Sequence, residues 1–262
     1  MKPTATLHHD NSLDVLKNTP DNTFDLTVTS PPYDNLRTYK DSLEWGEHVW
    51  KPLLEELFRT TKQGGVVVWV VGDATVKGSE TGTSFKQALF AMECGFSLHD
   101  TMIYAKDNYV PLTHNRYEQS FEYMFIFSKG RPKSFNGIKV PSKCAGKSVS
   151  RNNTNRAKEG STRNREEVTI IQDMKLSPNI FQYVIGKKTD NGNHTAAFPE
   201  QLALDHILSW SNEGDTVFDP FLGSGTTGKM SVLNGRNFVG VEKVEEYYQI
   251  SDKRIKDALN SL

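Results

Sequence analysis

The stretch "DTVFDPFLGSGTTGKM", residues 215–230, decides how this chain is read. An apolar strand ends at Asp219-Pro220, and Gly223, Ser224 and Gly225 then lead into a helix. Glycines in such a turn let the backbone fold tightly and approach a ligand closely, and the helix N-terminus faces the same space. The next strand, "NFVGVE", ends at Glu242, the acidic position at which nucleotide-binding α/β sheets hold ribose hydroxyls. Two successive strands that each end in an acid point to a nucleoside ligand.

The charges narrow which one. Asp219 stands at the mouth of the loop. A carboxylate there repels a pyrophosphate but suits an ammonium group. S-adenosylmethionine (AdoMet) combines a ribose, an α-amino group and a sulfonium, and it fits that pattern better than NAD or ATP.

Working outward from the loop, short apolar strands alternate with helical segments. "FDLTVTS" and "VVVWVVGD" read as strands, the second covered on both faces. "EHVWKPLLEELFRTTKQ" places Val49, Leu53, Leu54, Leu57 and Phe58 at helical spacing, with Gly64-Gly65 expected to stop the helix. "TSFKQALFAMECGF" reads as a helix ending at Gly95, and "DTMIYAKDN" and "FEYMFIFSK" as two more strands. "PEQLALDHILSW" is helical, and "VEEYYQISDKRIKDALNSL" is an amphipathic helix. The alternation predicts an α/β fold: a mostly parallel, doubly wound, Rossmann-like sheet with an antiparallel edge strand.

At 262 residues the chain can bury a real core. No run approaches the roughly 20 apolar residues that cross a bilayer, and the first 15 residues lack the apolar region of a secretory signal, so a cytoplasmic protein with no membrane partner is expected. Cys94 and Cys144 suggest neither a disulfide framework nor a zinc site, the seven histidines show no ligand spacing, and no metal is expected. The net charge of −1 hides an asymmetry. From Lys129 to Lys188 fourteen Lys/Arg face four Asp/Glu, a balance of +10, so the remainder carries −11. The same interval is rich in Asn, Ser, Thr and Gly and poor in apolar residues, which predicts an inserted lobe that meets a polyanion.

The segment "TSPPY", residues 29–33, ends the strand "FDLTV" with two prolines flanked by a hydroxyl and an aromatic ring. In a doubly wound sheet ligands sit where the strand order reverses, so if "TVFDPF" and "DLTVTS" are neighbours the two motifs share one crevice. Together and in this order, they closely resemble the β group of DNA amino-methyltransferases. In that group the catalytic [DNS]-P-P-[YFW] motif comes first and the AdoMet loop "DPFxGSGTT" last, a circular permutation. The segments "FEYMFIFSKGRP" and "HTAAFPEQLALDHI" resemble the group as well, and the likeness spans nearly the whole chain except the basic interval.

The resemblance implies transfer of a methyl group from AdoMet to an exocyclic amino nitrogen of double-stranded DNA. It assigns catalysis to Ser30, Pro31, Pro32 and Tyr33. The Ser30 hydroxyl and Pro31 carbonyl would accept from the amino hydrogens, and Tyr33 would stack on a base flipped out of the duplex. It assigns AdoMet to Asp10, Asp219, Phe221, Gly223, Ser224, Gly225, Thr226, Thr227, Glu242, His194 and Phe198. Serine at the first motif position accompanies N4-cytosine methylation in the family and aspartate N6-adenine, so cytosine N4 is favoured, with adenine N6, an RNA substrate or an inactive DNA-binding homologue as alternatives.

The basic interval stands where this group keeps its target-recognition region, which divides the chain into residues 1–129 (catalytic half), 130–193 (recognition insertion) and 194–262 (AdoMet-binding half). Lys143, Lys147, Arg151, Arg156, Arg163 and Arg165 are expected to meet phosphates or bases there, alongside Asn152, Asn153 and Asn155. Arg37 and Tyr39, in the loop after TSPPY, would close over the flipped base. The sequence leaves open a cognate restriction endonuclease, the recognition site and the oligomeric state.

Overall fold

A computed structural model describes residues 2–32, 45–108, 115–156, 162–184 and 198–262, with the backbone alone for 150–156 and 162–168. In chain order the elements are β1 (Ala5–His9), α1 (Ser12–Lys17), β2 (Phe24–Thr29), α2 (Glu47–Thr60), β3 (Thr61–Val71), the short hairpin β4 (Thr75–Val76) and β5 (Ser79–Glu80), and α3 (Thr83–Glu93). Strands β6 (Ser97–Lys106), β7 (Phe121–Ser128), β8 (Lys139–Pro141), β9 (Ser148–Arg156), β10 (Thr162–Ile170), β11 (Met174–Leu176) and β12 (Ile180–Tyr183) follow. The chain continues with α4 (Glu200–Trp210), β13 (Thr216–Asp219), α5 (Thr226–Leu233), β14 (Asn237–Glu242) and α6 (Glu245–Asn260).

One unit, residues 1–136 with 179–262, carries an eight-stranded sheet in the order β1-β14-β13-β2-β3-β7-β6-β12. Every neighbouring pair is parallel except those made by β7, which runs antiparallel to both β3 and β6. The chain winds from β13 to β14 in one direction and from β2 to β3 in the other, so the order reverses between β13 and β2.

The alternation of β3 explains both layers. Val66, Val68 and Val70 pack with Leu202, Ala203, Ile207 and Trp210 of α4, Val232 of α5 and Ile255 of α6. Val67, Trp69 and Val71 face the other way and pack with Trp50, Leu53, Leu54 and Leu57 of α2 and Ala88 and Ala91 of α3. Successive side chains of a strand point to opposite faces, so a strand covered on both must be apolar throughout. Each such side chain, fully buried, contributes roughly 1.5–3 kcal/mol.

Two sequence expectations shift. The antiparallel strand lies inside the sheet, not at its edge, because β12 pairs with β6 and takes the edge position. The alternation of apolar residues marks β7 as a strand but carries nothing about which strands flank it. Gly64-Gly65 do not stop α2, which ends at Thr60; the Thr60 and Thr61 hydroxyls donate to the carbonyls of Glu56 at 2.8 Å and Leu57 at 2.6 Å. The glycines instead form an irregularity within β3, where the pairing with β2 jumps from Phe24–Thr61 to Leu26–Val66. A Cβ on Gly65 would come within 2.8 Å of the Thr61 methyl and 2.9 Å of the Lys62 carbonyl, so the chain needs glycine to fold back on itself there.

The second unit, Gly137–Pro178, consists of two antiparallel ribbons, β8 with β11 and β9 with β10. The hydrogen bonds from Gly146 N to Ile171 O (2.9 Å) and from Ile171 N to Lys147 O (3.0 Å) join the two ribbons into one hairpin arm. Among the described side chains of this unit, Ile170, Met174 and Leu176 are exposed.

Candidate cofactor and catalytic site

The two motifs meet at the reversal point. Val217 and Phe218 of β13 pair with Leu26 and Thr27 of β2, so Asp219 and Thr29 end adjacent parallel strands at the same end of the sheet. The Thr29 hydroxyl donates to Asp219 Oδ1 at 2.7 Å, and the Phe221 backbone N–H donates to the same oxygen at 3.0 Å. The Thr227 hydroxyl donates to the Val28 carbonyl at 3.1 Å, and its polarity favours the charged form of Asp219. Burial raises the Asp219 carboxyl to about 7, against the pull of these hydrogen bonds and with a smaller push from Glu242.

Glu242 closes β14 and grips the backbone from the other side. Its Oε2 accepts from Gly223 N at 2.8 Å and its Oε1 from Val244 N at 2.8 Å. Burial shifts this carboxyl upward too, while the backbone donors oppose the shift. Asp10 is exposed beside it: Asp10 N donates to the Glu242 carbonyl, and its own Oδ1 accepts from Asn11 N at 2.7 Å. The Ser12 hydroxyl donates to the Pro220 carbonyl, which docks the start of α1 against the loop.

The loop itself is left-handed at two glycines, Gly223 (φ 52°) and Gly225 (φ 82°), the second capping α5. A Cβ at Gly225 would stand 3.0 Å from the Ser251 Cβ and 3.1 Å from its Cα, so both the conformation and the space require glycine. Ser224 and Thr226 are buried and lie against Arg254 of α6, while Thr227 is buried beneath the strand ends. Phe221 is half-buried and meets Trp45 edge-on, with ring centroids 5.6 Å apart. Phe198 packs against the core on the α4 side of the sheet.

Directly after β2 come Ser30, half-buried, Pro31, buried, and Pro32, half-buried. Tyr33, Arg37, Tyr39 and His194 lie outside the described residues. In the second unit Lys143 and Lys147 are exposed. Arg151 and Arg156 stand on β9 and Arg163 and Arg165 on β10, in a register that sets Arg163 opposite Asn155 and Arg165 opposite Asn153. Thus the sheet brings the cofactor-loop residues and the Ser30-Pro31-Pro32 turn to one end, whereas the basic positions belong to a separate ribbon. Three residues at the loop escape motif reasoning: Thr29, Glu200 and Arg254. Thr29 and Glu200 had a signal, since they stand in the TSPPY and HTAAFPEQLALDHI segments, but Arg254 sits in a helix distant in sequence from both.

A parallel sheet that reverses beneath a buried acid and a glycine loop, with a rigid Ser-Pro-Pro turn on the next strand, defines a Rossmann-like α/β transferase of the AdoMet-dependent type. The DNA methylase family model matches residues 24–253, and the chain belongs to that family, the DNA amino-methyltransferases of the N6/N4 class. It is 49% identical over 249 residues to the orphan methyltransferase M.BamHII of Bacillus amyloliquefaciens, covering 92% of each chain. It is 25% identical over 261 residues to the DNA adenine methyltransferase YhdJ of Escherichia coli, covering 95% of this chain and 82% of that one. Among solved structures it is similar to the PvuII DNA methyltransferase (cytosine-N4-specific), with a TM-score of 0.71 at 20% identity, covering 99% and 93% of the two chains.

Proposed function

We propose that this DNA methyltransferase acts on the exocyclic N4 of cytosine in double-stranded DNA. AdoMet would lie over the glycine loop, with its ammonium group at Asp219 and its ribose hydroxyls at Glu242, whose oxygens keep lone pairs beyond those given to Gly223 and Val244. The flipped base would sit on Tyr33, and the Ser30 hydroxyl and Pro31 carbonyl would accept from its amino hydrogens. Those two acceptors favour a pyramidal nitrogen whose lone pair faces the methyl carbon. AdoMet, held at Asp219 and Glu242, would supply the methyl group, while Ser30 and Pro31 would hold the amino nitrogen with its lone pair toward it, and the proton that the nitrogen loses would pass to solvent. Positioning and electrostatics do this work, and no nucleophilic cysteine is needed.

The observation that carries this reading is the Thr29–Asp219 hydrogen bond, 2.7 Å, which ties the turn carrying the acceptors to the mouth of the glycine loop. Residues 130–193 are assigned to target recognition on their charge, with Lys143, Lys147, Arg151, Arg156, Arg163 and Arg165 toward the DNA, and the site of action is the cytoplasm. Ser30 at the first motif position favours cytosine. Adenine N6 is the second reading, favoured by the likeness to YhdJ, an adenine methyltransferase by name. Digestion of methylated DNA to nucleosides followed by mass spectrometry separates them: N4-methylcytosine is expected, and N6-methyladenine alone overturns the assignment.

A further inference from the structure

The C-terminal helix contributes a side chain to the back of the glycine loop, and nothing in the motifs points to it. Arg254 Nη1 donates to the Ser224 carbonyl at 3.0 Å and lies 3.4 Å from the Ser224 hydroxyl and 3.3 Å from the Thr226 hydroxyl. Arg254 Nη2 donates to Glu200 Oε1, and Lys229 Nζ reaches the same oxygen at 2.9 Å. The cluster therefore joins the first turn of α4, the body of α5 and the middle of α6, and it ends on the peptide that lies between the two left-handed glycines.

We propose that Arg254, anchored by Glu200, is a positioning residue for the cofactor, fixing the Ser224 peptide so that the loop keeps the shape that receives AdoMet. The proposal rests on the reading that this loop holds AdoMet. Ser224 is only 2% exposed, so water cannot readily replace the arginine as the partner of its carbonyl. From the front, Glu242 holds Gly223 N, and Val241 O accepts from Leu222 N at 3.0 Å. Arg254 supplies the hold from behind. A planar guanidinium can bond the carbonyl with one nitrogen and the carboxylate with the other in fixed geometry. A lysine at 254 keeps the charge for Glu200 but presents a single nitrogen, so it separates the loop contact from the ion pair.

The test compares Arg254→Lys, Arg254→Met and Glu200→Gln with wild type in the full-length protein. Calorimetry without DNA gives the AdoMet Kd, a thermal melt gives Tm, and turnover at saturating AdoMet gives kcat. Lys256→Ala, on the same helix with its side chain 68% exposed, is the control. Arg254→Lys is expected to raise the AdoMet Kd about tenfold, which is about 1.4 kcal/mol. Its kcat at saturation is expected to stay within about twofold and its Tm within a few degrees, whereas a purely structural ion pair would move Tm and leave Kd alone. Unchanged AdoMet Kd in both Arg254→Lys and Arg254→Met overturns the proposal, whatever happens to Tm. Asp219→Asn separates the two readings. If it too binds AdoMet as wild type does, the assignment of the loop fails; if it alone binds weakly, only the role of Arg254 fails.

Discussion

Asp219→Asn should make the ligand-free protein more stable at pH 8 while weakening AdoMet. The carboxyl is buried and raised from 3.8 to about 7. Below 3.8 it is protonated in both the folded and the unfolded chain and costs nothing. Between 3.8 and about 7 the unfolded chain ionises while the folded one stays protonated, so the penalty on folding grows with pH; above about 7 both are ionised and the penalty is complete. At about 1.4 kcal/mol per pH unit of difference, the ceiling is about 4 kcal/mol. Asparagine is close in shape, and its side-chain oxygen can keep the bonds from the Thr29 hydroxyl and the Phe221 N–H, both of which end on Oδ1. Urea denaturation of the two proteins from pH 5 to pH 9 should therefore give curves that diverge as pH rises, with the variant above wild type at pH 8. Calorimetry in the same buffers should show the variant binding AdoMet at least tenfold more weakly at pH 8, because the ammonium has lost its anion. A variant less stable than wild type by the same margin at every pH would refute the reasoning, since the carboxylate would then be stabilised by its hydrogen bonds over the whole range.

Ser30→Ala is expected to lower kcat about 100-fold, the usual loss for one removed catalytic hydrogen-bond partner, with AdoMet binding intact by calorimetry. Gly225→Ala should cost about 2 kcal/mol or more in urea denaturation, because the added Cβ meets a left-handed backbone (φ 82°) and the Ser251 backbone at 3.1 Å. Lys143→Ala and Lys147→Ala should each reduce the salt dependence of DNA binding by about one phosphate contact, seen as a slope lower by about 0.9 in log Kd against log salt. Neither change should alter the AdoMet Kd.

Several parts of this molecule can be read from local chemistry. A run such as Val66–Val71 is legible as a doubly covered strand because burial on both faces leaves no room for polar residues. Gly223 and Gly225 are legible because few other residues accept a left-handed turn at a helix start. Gly64 and Gly65 misled for the same reason: a glycine pair after a helical pattern reads as a stop, yet the helix ends earlier on two threonine hydroxyls and the glycines serve a fold-back within β3. Which strand stands beside which is a matter of three-dimensional pairing, so the place of β7 inside the sheet has no local signature.

By itself, then, the sequence determined the alternation of strand and helix, the motif order that gives the permuted family, and the charge segregated between residues 129 and 188. Those features are short-range: period, turn chemistry and net charge are properties of neighbouring residues. Tertiary structure alone decided that Thr29 and Asp219, 190 positions apart, share a hydrogen bond, and that Arg254 reaches the Ser224 carbonyl from another helix. Such contacts arise from the pairing of β2 with β13 and the packing of α6 behind the loop, and no interval of the chain contains both partners.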